Sequence, residues 1–179
     1  MRYIDTWQFA QVVQVQQITP NVLELHLLPG AGTQPFSVGA HLALEVYIND
    51  LPEIRHYSLL GTYSPHSPYK IAVKRLPNSR GGSRFMWTLQ VGSRVRISQP
   101  KTNFELSRNA RDYVLLAGGI GITPLLGMAQ ALSQKSDISV RMLYLGTSRQ
   151  EMPFVDVLQD ALGDRLQLHY SDTQGMCSS

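Results

Sequence analysis

Three stretches hold residues whose types and spacing suit chemistry better than packing. The first is Val114-Leu115-Leu116-Ala117-Gly118-Gly119-Ile120-Gly121-Ile122-Thr123-Pro124. A short apolar run without alternation predicts a strand buried on both faces. It runs into a glycine turn that a helix must follow. Thr123 is placed to cap that helix, and Pro124 suits its first turn, where a missing N–H costs nothing. Strand, glycine turn and helix N-terminus together make an anion site, because backbone N–H groups point outward and the helix dipole favours a phosphate. Gly118, Gly119, Gly121 and Thr123 are therefore candidates for the pyrophosphate cradle of a nucleotide. The glycines depart from the dinucleotide fingerprint, since Pro124 stands where G-x-G-x-x-G counted from Gly119 needs its last glycine. A purely structural strand-to-helix connection is the competing reading.

The second and third stretches are Arg55-His56-Tyr57-Ser58-Leu59 and Asn78-Ser79-Arg80-Gly81-Gly82-Ser83-Arg84. The former puts a cation, an aromatic ring and a hydroxyl where a core strand prefers branched aliphatics. The latter is another glycine turn, with Ser83 placed to cap a helix through Phe85, Met86 and Leu89, and so predicts a second phosphate cradle separate from the first. Together they offer what a flavin mononucleotide needs. A guanidinium and N–H donors for the phosphate come from Arg55, Gly81, Gly82 and Ser83; a platform and a donor near the reactive ring nitrogen N5 come from Tyr57 and Ser58. Taken singly, Arg55 reads equally as a surface charge and the glycine turn as an ordinary hairpin.

The elements that must position these residues follow from periodicity. Trp7, Phe9, Val13 and Val15 alternate with glutamines, which predicts a half-buried strand with those four inward. After the turn Thr19-Pro20-Asn21, Leu23, Leu25 and Leu27 point inward, while Glu24 and His26 read as a solvated face. Leu42, Leu44, Val46 and Ile48 alternate with Glu45 and Tyr47, and residues 54–60, 69–76 and 91–98 add further strands. About six antiparallel strands predict a small closed barrel over residues 1–110. Beyond the polar run 109–112, apolar Leu125, Leu126, Met128, Ala129 and Leu132 mark a helix. Val140 to Leu145 marks a strand, Phe154, Leu158 and Leu162 a second helix, and Leu166 to Tyr170 a third strand. The order β-α-β-α-β over 111–179 is half of a doubly wound nucleotide fold. The fold class is thus a β barrel plus a partial α/β domain.

Composition narrows the function classes. With 43% hydrophobic and 16% charged residues among 179, the chain has a folding composition. A formal charge of +3, with basic residues scattered, does not suit a nucleic-acid surface. Cys177 is the single cysteine, so this sequence holds no set of cysteines for a disulfide framework, a cysteine zinc site or an iron–sulfur cluster. No apolar run approaches a membrane span and Met1 to Ala10 lacks a signal-peptide core, so a cytoplasmic setting is the expectation.

R-H-Y-S-L at 55–59, I-A-V-K-R at 71–75, S-R-G-G-S at 79–83 and L-L-A-G-G-I-G-I-T-P at 115–124 occur in one order and spacing. In these four motifs the chain resembles the phthalate dioxygenase reductase family, which includes the reductases of vanillate demethylase and carnitine monooxygenase and belongs to the ferredoxin–NADP reductase superfamily. The resemblance covers essentially the whole chain. It implies a flavin barrel followed by a nicotinamide-nucleotide domain. Arg55 and Ser83, with the Gly81 and Gly82 amides, are implied as ligands of the flavin phosphate. Tyr57 and Ser58 are implied as ring contacts with the Ser58 hydroxyl near N5, and Ala72 and Lys74 as further flavin contacts. R-G-G-S before a helix favours FMN over FAD. His56 stands where the family often has threonine, and an imidazole there bears on the flavin's redox poise.

The strand ending at Gly146-Thr147-Ser148-Arg149 has no acid for the ribose hydroxyls; Arg149 reads either as a phosphate or ribose ligand or as a surface arginine. Family members using NADH have a similar Ser-Arg element, so Ser148 and Arg149 are implied nucleotide ligands and NADH is favoured over NADPH. The departure is C-terminal. Similar proteins continue through more strands and a four-cysteine [2Fe–2S] domain, whereas this sequence stops at Ser179. The expectation is a truncated member with no [2Fe–2S] cluster in this chain and an exposed apolar sheet face, which predicts dimerisation, partner binding or marginal stability. The function implied is an NADH-dependent flavoprotein reductase, with electrons leaving FMN singly for an iron–sulfur centre elsewhere and then a Rieske-type oxygenase or demethylase. The alternatives are a flavin-binding module without competent NADH oxidation and a free-flavin reductase.

Overall fold

The computed structural model describes residues 6–107 and 109–174. Cys177 and the C-terminal end, on which two of the expectations above rest, lie outside them. The first half is antiparallel: β1 (Trp7–Thr19), β2 (Val22–Pro29), β3 (Ala40–Ile48), β4 (Leu51–Ser58), β5 (Tyr69–Lys74) and β6 (Arg94–Ser98), with α1 (Gly82–Met86) between the last two. These six strands run in the order β4-β3-β6-β1-β2-β5, and a two-residue strand that the pattern does not reveal, β7 (Lys101–Thr102), adds to β3. The barrel's ends, β4 and β5, share no ladder; they meet at the single bridge Leu59–Ile71. Inside lie Leu23, Leu25, Leu27, Leu42, Leu44, Val46, Ile71 and Ile97.

Two expectations fail here for physical reasons. In β1 the inward residues are Ala10 and Val12, while Phe9 is 53% exposed and Val13 37%. The register against β2 shifts between Val12 and Gln14, and such a bulge exchanges the two faces of a strand. Hence Val15, beyond it, packs on the core as the alternation predicts. Glu24 and His26 are buried and bonded to each other at 2.6 Å, not solvated. Val22 on the same strand and Ala72, the register partner of Glu24, pack into the core of the second half. That face of β2 is covered, and the two polar groups satisfy one another.

The second half consists of β8 (Asp112–Gly118), α2 (Ile122–Ser133), β9 (Ser139–Gly146), α3 (Val155–Leu162), β10 (Leu166–Tyr170) and a short α4 (Ser171–Gln174). The strands are parallel in the order β10-β9-β8. Leu125, Leu126, Met128, Ala129 and Leu132 of α2 and Leu158 and Leu162 of α3 cover one sheet face, as their spacing predicts. The reading of β8 as buried on both faces is corrected. Val114 is 75% and Leu116 63% exposed, because both helices lie on the other face. This is the exposed apolar face expected from a short sheet. Phe154 begins α3 in a left-handed conformation (φ 64°) and packs against the core from just outside the helix. No described helix is long and apolar enough to cross a membrane.

The halves touch where α2 crosses the barrel. A Cβ on Gly127 would overlap the Gly61 carbonyl, and one on Gly39 would meet the Met128 methyl at 2.5 Å. Alanine at position 127 gains about 1 kcal/mol in helix propensity, yet the overlap is with backbone and costs about 1–3 kcal/mol. We expect Gly127→Ala to lower stability in thermal unfolding; a raised midpoint would show that α2 does not sit this close to the barrel.

Candidate functional site

Where β4 and β5 fail to zip, the barrel opens into a cleft of about 600 Å³. Arg55, His56, Tyr57 and Ser58 of β4 form one wall, Ala72 and Lys74 of β5 the other, Gly82 and Ser83 of α1 one end, and Ile120 and Thr123 of the second half the opposite side. Nine of the residues singled out in the sequence, Arg55, His56, Tyr57, Ser58, Ala72, Lys74, Gly82, Ser83 and Thr123, thus line one cavity. Of the second glycine turn, Ile120 and Thr123 reach this cleft, while Gly119 lines a neighbouring pocket and Gly118 and Gly121 line neither; Gly81 of the first turn does not line the cleft either.

The first turn is built for close approach. Gly81 has φ 117°, which favours glycine, and precedes α1 as its cap residue. A Cβ on Gly82 would lie 3.0 Å from Arg55 Nε and 3.2 Å from its Cγ, so the absent side chain lets the guanidinium lie against the helix start. Arg55 donates to the Ile54 carbonyl at 2.9 Å and pairs with Glu53 at 2.6 Å. Ser83 does not cap the helix as expected. It sits inside the first turn, and its Oγ is buried without a hydrogen-bond partner among the described residues. A buried hydroxyl left unpaired costs about 1–3 kcal/mol, and here it borders a cavity that Arg55 also lines, while the Gly81 N–H just before the helix donates to Ser79 Oγ at 3.1 Å.

Along the wall, burial pushes the Tyr57 hydroxyl up to about 12 against the opposing pull of Arg55. The ring packs on the barrel core. The Ser58 hydroxyl has no partner among the described residues. His56 is exposed and meets His41 edge-on, ring centroids 5.3 Å apart. Burial, then His56 and Lys101, lower the His41 pKa.

The second turn departs from expectation in its caps. Residues 119–121 form a 3-10 turn, Gly121 precedes α2, and Thr123 Oγ1 donates back to the Ile120 carbonyl at 3.1 Å instead of capping. Pro124 does lie in the first turn. Gly119 has φ 50°, and a Cβ on Gly118, Gly119 or Gly121 would meet nothing within 4 Å. Packing does not require these glycines; the space before them stays open. Sequence reasoning missed the buttress beneath: the Tyr144 hydroxyl, fully buried with its pKa raised by desolvation, lies 3.1 Å from the Gly119 carbonyl and 3.2 Å from that of Pro153. It also missed Glu151, which with Lys74, Gly119, Gly146, Thr147 and His169 lines a neighbouring pocket of about 350 Å³. Ser148 lines neither cavity, and Arg149 turns away to pair with Asp156 at 2.5 Å. An extended strand ending in a turn does not reveal which of its polar residues faces in.

No protein-family model matches the chain. It is 36% identical over 167 residues to the carnitine monooxygenase reductase subunit of Escherichia coli (strain K12), covering 91% of this chain and 52% of that protein. It is 38% identical over 141 residues to the vanillate O-demethylase oxidoreductase of Pseudomonas putida, covering 76% and 42%. Among solved structures, a phthalate dioxygenase reductase described as modular for electron transfer from pyridine nucleotides to [2Fe–2S] superposes with a TM-score of 0.82 at 33% identity, covering 92% of this chain and 51% of that one. The chain spans about half the length of the curated relatives it matches. The two-part architecture is the ferredoxin–NADP reductase-like fold.

With the site empty, Ser83→Ala removes an unpaired buried hydroxyl, so we expect the ligand-free chain to gain up to about 1 kcal/mol in denaturant unfolding. A loss would mean the Oγ has an internal partner. Tyr57 has its folded pKa raised, so its contribution is full below about pH 10 and is lost as the pH climbs toward about 12. Tyr57→Phe is expected to flatten that alkaline decline in stability measured against pH.

Proposed function

We propose that this chain, a homologue of the phthalate dioxygenase and vanillate demethylase reductases, is the flavin- and nucleotide-binding part of an oxygenase reductase. It binds FMN in the barrel seam and NADH against the second half, and serves electron transfer toward an iron–sulfur centre and a Rieske-type oxygenase or demethylase. The observation that carries this reading is the buried, unpartnered Ser83 Oγ beside Arg55 at the start of α1, inside a cleft that both halves line.

The residues present fit such a flavin. Arg55, Ser83 and the Gly82 amide form a donor set for one phosphate, the charge-assisted kind of contact that is strongest; the Gly81 N–H, implied by the resemblance as a further donor, is already bonded to Ser79 Oγ at 3.1 Å. Tyr57 supplies an aromatic surface and Ser58 a free hydroxyl on the adjacent wall, with Ala72 small enough and Lys74 cationic enough to leave room and charge opposite. When bound, the flavin supplies the chemistry that turns a two-electron hydride donor into a one-electron source. The chain's own part is positioning. The turn at Gly118, Gly119 and Gly121 holds the dinucleotide phosphates across from the flavin wall, and the packing of α2 on the barrel fixes the separation of the two. No side chain is required as a proton acceptor for the transferred hydride.

The purified protein, reconstituted with FMN, is expected to show a bound flavin band in the visible that bleaches on anaerobic addition of NADH. A band that does not bleach would leave a flavin-binding module, and flavin lost on gel filtration with turnover restored by added FMN would identify a free-flavin reductase. Arg55→Ala together with Ser83→Ala is expected to weaken FMN binding by about 100-fold or more, two charge-assisted contacts at about 1.5–3 kcal/mol each. Unchanged FMN affinity in that variant would remove the phosphate site from this turn.

A further inference from the structure

The strand end at Gly146 to Arg149 shows no acid in sequence, yet the fold supplies one. The 3-10 turn Arg149–Glu151 sorts its charges to opposite sides. Glu151 lines the pocket at the C-terminal ends of the parallel strands, together with Gly119 of the glycine turn, and its carboxylate has no hydrogen bond or ion pair with any described residue. Arg149 lines a different cavity with Pro20 and Phe154, and its guanidinium is held by Asp156 at 2.5 Å. Lys74 is the one Lys or Arg in the Glu151 pocket's lining, and it also lines the flavin cleft, so positive charge sits at the border between the two spaces.

We propose that Glu151 is the residue that selects a dinucleotide with a free adenosine 2′-hydroxyl over one carrying a 2′-phosphate. This rests on the reading of the glycine turn as a dinucleotide cradle and names a determinant within it. A carboxylate accepts hydrogen bonds from ribose hydroxyls and repels a dianionic phosphate, so one group both attracts NADH and rejects NADPH. Recognition of a 2′-phosphate calls for a guanidinium in the pocket, and here the nearest one along the chain lines a different cavity and pairs with Asp156 at the surface. Phosphates lie naturally toward Gly119 and Lys74, and the ribose toward Glu151.

The test is equilibrium binding of ADP-ribose and 2′-phospho-ADP-ribose to the full chain by calorimetry, which needs neither flavin nor turnover. Wild type is expected to bind ADP-ribose the more tightly. Glu151→Gln is expected to lose about tenfold or more in ADP-ribose affinity and to bind 2′-phospho-ADP-ribose at least as well as wild type, narrowing the preference. Arg149→Ala should keep the wild-type ratio. A ratio unchanged in Glu151→Gln, or one that collapses in Arg149→Ala, overturns the assignment to Glu151 while leaving the cradle standing. Failure of wild type to bind either ligand overturns the cradle and the assignment together.

Discussion

Everything in this molecule follows from a barrel that does not close. β4 and β5 are the two ends of one antiparallel sheet; they share no ladder and are joined just past the end of β4, at the Leu59–Ile71 bridge and the Leu60 N–H to Lys70 carbonyl bond of 2.9 Å. Beyond that bridge the strands diverge, and an unpaired strand edge is a row of hydrogen-bonding groups that must meet water, another strand or a ligand. The Arg55–Ser58 segment is that edge. It has polar residues where a zipped barrel would hold aliphatics, because at this point it borders a cavity and not a neighbouring strand.

The second constraint is how the α/β half is fastened to the open seam. Gly127 lets the α2 backbone come against the Gly61 carbonyl, and Val22, Leu60 and Ala72 of the barrel side enter the core that α2 and α3 share with the parallel sheet. The fastening puts Ile120 and Thr123 on the rim of the cleft that α1 and β4 define. Two turns made by the same physics, glycines feeding a helix N-terminus, are thereby brought to adjoining spaces that share Lys74 in their linings. The outer face of the parallel sheet is the structure's remaining imbalance, with Val114 and Leu116 in solvent on a strand whose composition suits burial.

Much of this was legible in the sequence. Period-2 alternation located the strands β2 and β3 and their inward leucines, 3.6-residue spacing located α2, and the motifs gathered nine residues that do meet in one cleft. What was not legible depends on contacts remote in sequence. The bulge in β1 reverses which of its residues are buried, and nothing local to Phe9 or Val13 announces it. Glu24 and His26 alternate like a solvated face, but another part of the chain covers them. Ser83 and Thr123 have the composition of caps, while Gly81 and Gly121 occupy the cap positions; at Gly81 the backbone, with φ 117°, takes a conformation that favours glycine, whereas Gly121 has ordinary helical dihedrals. Glu151 lies only two residues from Arg149, and a single tight turn sends one in and the other out.

The distribution of unpaired polar groups separates scaffold from site more sharply than residue identity does. Away from the cleft, charges are matched: Glu24 with His26, Glu45 with Arg96, Asp156 with Arg149. Around it Arg55 is paired with Glu53, but other polar groups are not matched. The Ser83 Oγ is buried and alone, the Ser58 hydroxyl and the Glu151 carboxylate have no described partner, and the glycines of the second turn face open space. Folded chains leave few buried polar groups unsatisfied, because each one costs about 1–3 kcal/mol. A chain of marginal stability retains such groups where something else completes them. Ser83 Oγ, on the first turn of a helix and in a cleft that Arg55 also lines, is the buried group of this kind among the described residues; Glu151 is only partly buried and offers acceptors to whatever enters its pocket. The two halves of the site thus present opposite chemistry, hydrogen-bond donors and a cation at the start of α1 and an acceptor carboxylate at Glu151.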